Sequence, residues 1–353
     1  MKKILNLEPK LKSDQKANKL IVVGLFSLLL FLSCKNSNKV DLPKFSGNAN
    51  EVVIVIDNQL WNSIPGKLIR DLLSSAQYGL PQKEPKFDLV KISPSSFSSI
   101  FKIHRNLLLV DISSKHKVSS ISFKNSVWSR GQLVIQLLSP DVTSFDSLFK
   151  VNSLKILQLY LNKELGRIIS TNKNLGNKPL VNSISSKYMI QLAVPKQFDL
   201  SISTSDFFLL HREQFIKDGG LQHQVSQGVF YTDYPYSDTS DFSINNLLKK
   251  RDSITSVFIE GPSKNSHMQV SHRFIEPKSY KILFRNYFAI EIRGLWRIEG
   301  DYLGGPFYEL NILDEKKEKI HCIDCYVFAP HFNKRDYLRE VEAIVKSFDF
   351  TKK

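Results

Sequence analysis

Cys322 and Cys325 form a Cys-x-x-Cys pair, the spacing that elsewhere holds a metal or cycles between thiol and disulfide. Their surroundings argue against both. Residues 319–329 read as a β-strand, in which the two thiols sit about 10 Å apart and point to opposite faces. A disulfide needs Cα atoms closer than about 7 Å. Zinc would want two more ligands; His321 and His331 are near in sequence, but no second such pair exists. The expectation is two structural thiols, no metal and no cofactor.

Other chemistry-bearing residues are scattered. The sequence has no Gly-x-Ser-x-Gly elbow, no His-Glu-x-x-His and no P-loop. Ser114 with Lys117 and Ser147 with Lys150 have Ser-x-x-Lys spacing, which chance supplies in a chain rich in both. Asp233, Asp238 and Asp241 lie among Tyr231, Tyr234 and Tyr236, a set suited to sugar or calcium. Its spacing matches no EF-hand, and a hydrated turn before a helix is the simpler reading. His211-Arg212-Glu213 reads as a strand end with a surface ion pair. More distinctive are rigid strings at residues 80–87, 104–106, 261–263 and 294–307. Arg105 and Arg293 have the geometry for bidentate contact with a carboxylate or phosphate. Gly304 and Gly305 ahead of Pro306 allow close backbone approach and positive φ. Arg105, Trp296, Gly304, Gly305, Pro306 and Phe307 are therefore the candidate binding residues. The carboxylates Glu84, Asp301 and Glu309 are the candidate acid and base of an alternative, catalytic reading.

The compartment is set by residues 20–34, LIVVGLFSLLLFLSC. The uncharged run is too short for a helix spanning a bilayer, which needs roughly 20 apolar residues, but fits a secretory signal. Six lysines against Glu8 and Asp14 precede it, so the chain after Cys34 is exported. Ser33-Cys34 at the end of this run resembles a bacterial lipobox, with Phe31 where that pattern usually has leucine. The resemblance implies a diacylglyceryl group on the Cys34 thiol, cleavage before it and acylation of the new amino terminus. Residues 1–33 are then the signal peptide and residues 34–50 a polar tether. Two or three acyl chains hold a protein stably where one does not. The partner is a membrane, reached through this lipid.

The mature chain is long enough for two domains of roughly 150 residues. With 42% hydrophobic and 24% charged residues, the full sequence has a packed globular composition. Formal charge is +15, and the leader accounts for +4 of it, leaving about +11. The basic residues are dispersed and interleaved with acids, the mark of a solvated surface; a second envelope protein or an anionic glycan is a further possible partner. Nucleic acid does not belong to that compartment.

Hydrophobic periodicity places strands at residues 51–57, 88–92, 106–112 and 128–138, with a long helix over residues 142–170. Residues 171–179, TNKNLGNKP, mark a break. Strands near residues 188–194, 206–212 and 228–234 follow, then one long strand or a hairpin over 281–299, a hairpin over 306–328 and an amphipathic helix over 334–348. Arg105-Asn106 and Arg285-Asn286 each open similar apolar strings, which suggests duplication. The expected class is α+β: two related halves, residues 51–175 and 180–353, each a mostly antiparallel sheet with helices packed on one face.

The strings at residues 80–87 and 104–106, the stretches 234–252 and 261–268, Gly294-Leu295-Trp296, Gly304-Gly305-Pro306-Phe307 and Phe328-Ala329-Pro330 together resemble a family of bacterial cell-envelope lipoproteins carrying a domain of unknown function. Leu303 departs from that pattern, which has methionine there, and Cys322 and Cys325 are not features of it. The resemblance implies a lipoprotein and supplies no activity. The expected role is non-catalytic binding or scaffolding on the periplasmic side of the envelope. The alternative is an envelope glycan hydrolase or transferase using paired carboxylates.

Overall fold

The structure is a computed structural model and describes residues 41–351. The expected signal peptide, Cys34 and the first part of the expected tether lie outside the described residues. Pro43–Lys353 forms one compact unit.

Its first part contains β1 (Glu51–Val55), α1 (Asn58–Trp61), α2 (Ile64–Leu73), β2 (Asp88–Ile92), α3 (Ser99–Lys102), β3 (Asn106–Ile112), β4 (Ser120–Asn125), β5 (Leu133–Ser139) and α4 (Val142–Leu175). The strands form one sheet in the order β2-β1-β3-β5-β4. β1 runs parallel to β2 and β3, and β3 parallel to β5; β4 alone is antiparallel. The expected mostly antiparallel sheet is thus corrected to a mixed one. The reason is visible in β1, EVVIV: Val52 and Ile54 pack against α2 and α4, while Val53 and Val55 pack under Phe97, Phe101 and Trp128. A strand covered on both faces reads as an unbroken apolar run, which is the habit of parallel sheets.

The second part continues with α5 (Lys178–Tyr188), β6 (Ile190–Gln191), β7 (Asp199–Ser203), β8 (Phe207–Asp218), β9 (Leu221–Pro235), α6 (Ile244–Phe258), β10 (Met268–Ser271), β11 (Lys278–Phe284), β12 (Tyr287–Ile298), β13 (Gly304–Asp314), β14 (Lys319–Phe328), α7 (Arg335–Lys346) and β15 (Asp349–Phe350). An eight-stranded sheet runs β10-β12-β13-β14-β9-β8-β7, with β11 also on β12. Its ladders are antiparallel throughout. One face carries Tyr308, Leu310, Ile312 and Ile323 against Leu338, Val341, Ile344 and Val345 of α7. The other carries Ile290, Phe307, Leu313 and Ile320 against Leu247, Leu248 and Ile254 of α6. Helices therefore cover both faces of this sheet, not one. The α+β class holds.

The two sheets do not repeat each other. Arg105-Asn106 leads into a central parallel strand, whereas Arg285-Asn286 is the tight turn of the β11–β12 hairpin, both residues at positive φ (49° and 70°). α4 also runs to Leu175, through most of the expected break, and ends at Gly176. A Cβ at Gly176 would lie 2.2 Å from both Asn172 O and Val194 O, so no larger residue fits that corner. Cys322 and Cys325 are buried free thiols in β14, one on the α6 face and the other on the α7 face.

α7 ties the parts together. Glu84, 4% exposed, accepts from the backbone N–H groups of Lys334 (2.7 Å) and Arg335 (2.8 Å) at its start. This supplies an anionic cap to donors with no partner inside the helix. Arg335 donates to Pro85 O and Asp88, and Arg339 to Asn50 and Lys86 O. Replacing Glu84 with alanine strips two buried donors of their acceptor and is expected to cost about 1–3 kcal/mol, read as a lower urea midpoint at unchanged m-value.

Candidate functional site

An open cleft of about 820 Å³ lies at the β10–β12 edge of the large sheet. Its lining includes Asp252, Gln269, Arg273, Phe274, Trp296 and Tyr302, with Gly304 and Gly305 at the start of β13. Trp296 is almost wholly buried and is fixed by its indole N–H donating to Val327 O at 3.3 Å and by an edge contact with Tyr326. Phe274 and Tyr302, in contrast, are 75% and 104% exposed. Exposed rings at a cleft rim are available to stack on a ligand.

The glycines explain themselves by register. Gly305 stands opposite Trp296 and Gly294 opposite Phe307, so each large ring lies over a residue with no side chain. A Cβ on Gly305 would meet Val327 O at 2.0 Å and the Trp296 indole nitrogen at 3.2 Å. Close approach is thus the reason for Gly304-Gly305. The positive φ anticipated from sequence is not used there, since both lie in extended strand.

Of the six candidate binding residues, Trp296, Gly304 and Gly305 meet at the cleft. Pro306 pairs with Leu295, and Phe307 is fully buried with its ring 4.0 Å from the Arg251 guanidinium. Arg105 lies elsewhere: it donates to Glu164 at 2.6 Å, and Glu164 also accepts from Asn106 and Arg167. Phe45 lies against both guanidinium groups, at 4.9 and 5.0 Å.

The carboxylates also separate. Asp301 lines the cleft and accepts from its neighbour's N–H (2.6 Å, Tyr302) and from Ser263. Asp252 lines it too and accepts from Val270 N at 2.7 Å. Glu84 caps α7, and Glu309 is buried beneath α6. Asp238 and Asp241 form a capping box around a short 3₁₀ turn, Asp233 is held by Lys319, and His211 bonds Ser226. No group of three or more His, Cys, Asp or Glu residues placed to hold a metal occurs among the described residues.

Sequence reasoning missed a buried charge cluster behind the cleft. Arg251 of α6 donates to both oxygens of Asp324 (2.8 and 3.3 Å), and Glu309, the cross-strand neighbour of Asp324, lies 3.7 Å from the same guanidinium. All three are essentially inaccessible to solvent. Burial, then the nearby Asp324 carboxylate, push Glu309 up to about 8; burial pushes Asp324 up to about 6 against the pull of Arg251. One guanidinium between two buried carboxylates favours a proton on one of them. The signal was there: Arg251 sits on the apolar stripe of α6 with Leu247, Leu248 and Ile254, and Asp324 shares a strand face with Cys322 and Tyr326.

The chain is thus an α+β protein with an open cleft at one edge of its antiparallel sheet. Two family models match it, both described as domains of unknown function: DUF8532 over residues 46–173 and DUF4837 over residues 177–347. The strings that carried the resemblance fall within these two segments. Comparison with curated proteins gives no match. Solved structures with some likeness include the Saccharomyces cerevisiae Ran-binding protein Mog1p, 9% identical over 46% of this chain and 91% of that one, with a TM-score of 0.31. Another is Mycobacterium tuberculosis LpqN, described as involved in cell envelope biogenesis, 12% identical over 46% and 83%, at 0.26. The human StarD13 lipid transfer and protein localization domain is 14% identical over 43% and 89%, at 0.19. Likenesses this slight carry no weight for fold or function.

Two outcomes are expected. Between pH 4.5, its ordinary value, and about 8, Glu309 holds more proton in the folded chain than in the unfolded one. Stability contributed by this group therefore falls as pH rises through that window. Glu309→Gln, which keeps the Asn311 contact, should flatten the decline in melting temperature across it. Gly305→Ala should cost about 1–3 kcal/mol through the clash with Val327 O, with Trp296 emission shifting as its site loosens.

Proposed function

We propose that this is a lipid-anchored protein of the bacterial cell envelope, facing the periplasm, that uses the cleft beside Gly304-Gly305 to bind an envelope component without transforming it. The anchor reading rests on residues 20–34 and Cys34. No helix among the described residues is long and apolar enough to cross a membrane, which is compatible with attachment by lipid. The observation that carries the binding reading is the contrast within the cleft: a floor locked by the Trp296–Gly305 fit and a rim of two exposed rings, Phe274 and Tyr302. A rigid floor with free aromatic edges suits recognition of a flat, partly apolar face such as that of a sugar ring. Arg273, whose guanidinium lies 5.1 Å from the Phe274 ring, adds a positive charge for an anionic glycan.

The alternative, a glycan hydrolase or transferase, retains support from Asp252 and Asp301, which share the cleft. Each is already engaged by backbone or loop donors. The two readings separate with muropeptides and lipopolysaccharide core oligosaccharides as probes, using titration for affinity and mass spectrometry for turnover. Binding reduced about 3–10-fold by Phe274→Ala or Tyr302→Ala, with the glycan recovered intact, is the expected result. Cleavage lost in Asp301→Asn would replace the binding reading with the enzymatic one. Cys34→Ser should release the protein from membranes and abolish its acylated mass.

A further inference from the structure

We propose that the end of the mixed sheet where its parallel strands begin is the face that this protein lays against an anionic bilayer, an inference that rests on acylation of Cys34. Three observations converge on that end.

The first is where the chain is held. Arg130 N donates to Pro43 O (2.8 Å), Ser46 N to Ile103 O and Arg105 N to Ser46 O (both 3.0 Å), and Lys44 and Ser46 bridge to Arg130 and His104. Phe45 is seated between the Arg105 and Arg167 guanidinium groups. All these partners precede or flank the first residues of β3 and β5. Nine peptide steps separate Cys34 from Pro43. Fully extended they span at most about 32 Å. A compact unit of this size is about 50 Å across. The end bearing Pro43 is therefore the one a lipid on Cys34 keeps within reach of the bilayer.

The second is charge. Lys44, Lys102, Lys124 and Lys163 gather there: Lys124 pairs opposite Val134 near the start of β5, Lys163 reaches Asn125 at 2.8 Å, and the carbonyl of Lys102 accepts from Gln132. Acids at this end have partners: Glu51 bonds His104, Asp88 and Asp336 share Arg335, and Glu164 bonds Arg105 and Arg167; Asp41, just before Pro43, is a further acid there. At the opposite end of the strands, Asp111 pairs with Lys115 and Asp146 with Lys150, and Asp57 and Asp141 cap the helices that begin there. The sheet is thus richer in lysine beyond its ion pairs at the tethered end than at the far end. Lys and Arg next to an anionic leaflet are attracted to it within a Debye length, about 8 Å at physiological salt. The third is Ile100 of α3, a 73% exposed aliphatic side chain three residues before Ile103, suited to the headgroup boundary.

The full-length acylated protein is reconstituted into vesicles of phosphatidylcholine alone or mixed with phosphatidylglycerol. The native thiols are buried in β14 or consumed by lipid, so a fluorophore placed through Ile100→Cys, or through Lys115→Cys at the far end, labels one site. Quenching by nitroxide lipids reports proximity. The expected result is at least about twofold stronger quenching at position 100 than at 115 on anionic vesicles. It should be reduced by high salt and by Lys44→Glu with Lys124→Glu, while the protein stays vesicle-bound. Equal quenching at both positions, or none at position 100 on anionic vesicles, overturns the docking face while leaving the anchor standing. Intact-mass analysis without a diacylglyceryl group on Cys34 removes the anchor reading itself, and the docking inference with it.

Discussion

The carboxylate of Glu84 at the start of α7 is the contact on which the unity of this body depends. A helix begins with several backbone N–H groups that have no partner within the helix, and burying them unmatched is costly. Here the match comes from a residue some 250 positions earlier, in the proline-bounded string before β2. Once α7 is seated by it, Arg335 and Arg339 face the first sheet while Leu338, Val341, Ile344 and Val345 face the second. The same carboxylate had the appearance of a general acid in the sequence. Its environment makes it architectural, because both of its oxygens are already committed to backbone donors.

Buried charge recurs on both faces of β13. On the α6 face Arg251 is shared by Asp324 and Glu309; on the α7 face Arg293 donates to Glu342 and lies 4.5 Å from the Tyr308 ring. Such pairs seldom add stability over apolar residues of equal volume, but removing one partner is severe. Their effect is to fix register: a slip of one residue in β13 would turn Glu309 and Tyr308 to each other's faces.

Much of this was legible beforehand. Most strand positions, the β13–β14 hairpin, the stripe of α7 and the opposite facing of Cys322 and Cys325 followed from periodicity and strand geometry alone, whereas β4, β7 and β10, short and less apolar, were not foreseen. What failed had physical causes. The runs VVIVI and LLLV were recognised as buried strands, yet their lack of alternation also announced parallel neighbours, and that second message was not drawn. The polar residues 171–175 looked like a break because helix propensity is weak evidence beside capping, and the stop comes at Gly176. Gly304 and Gly305 stand out in the sequence because glycines ahead of a proline allow close backbone approach, and that approach is what seats Trp296. Arg105 was grouped with them on charge alone, and charge does not reveal whether its partner is a ligand or, as here, Glu164.

The long separation between Glu84 and α7 has a consequence for biogenesis. Asn50, Lys86 and Asp88 are synthesised early, but the arginines they contact belong to the last few elements of the chain. The mixed sheet therefore leaves the ribosome with an unfinished side, and only the emergence of the carboxyl-terminal helix closes it. A nascent chain stopped short of residue 335 carries that side open, an exposed surface for chaperones and proteases, so the helix serves as the completion check on the molecule.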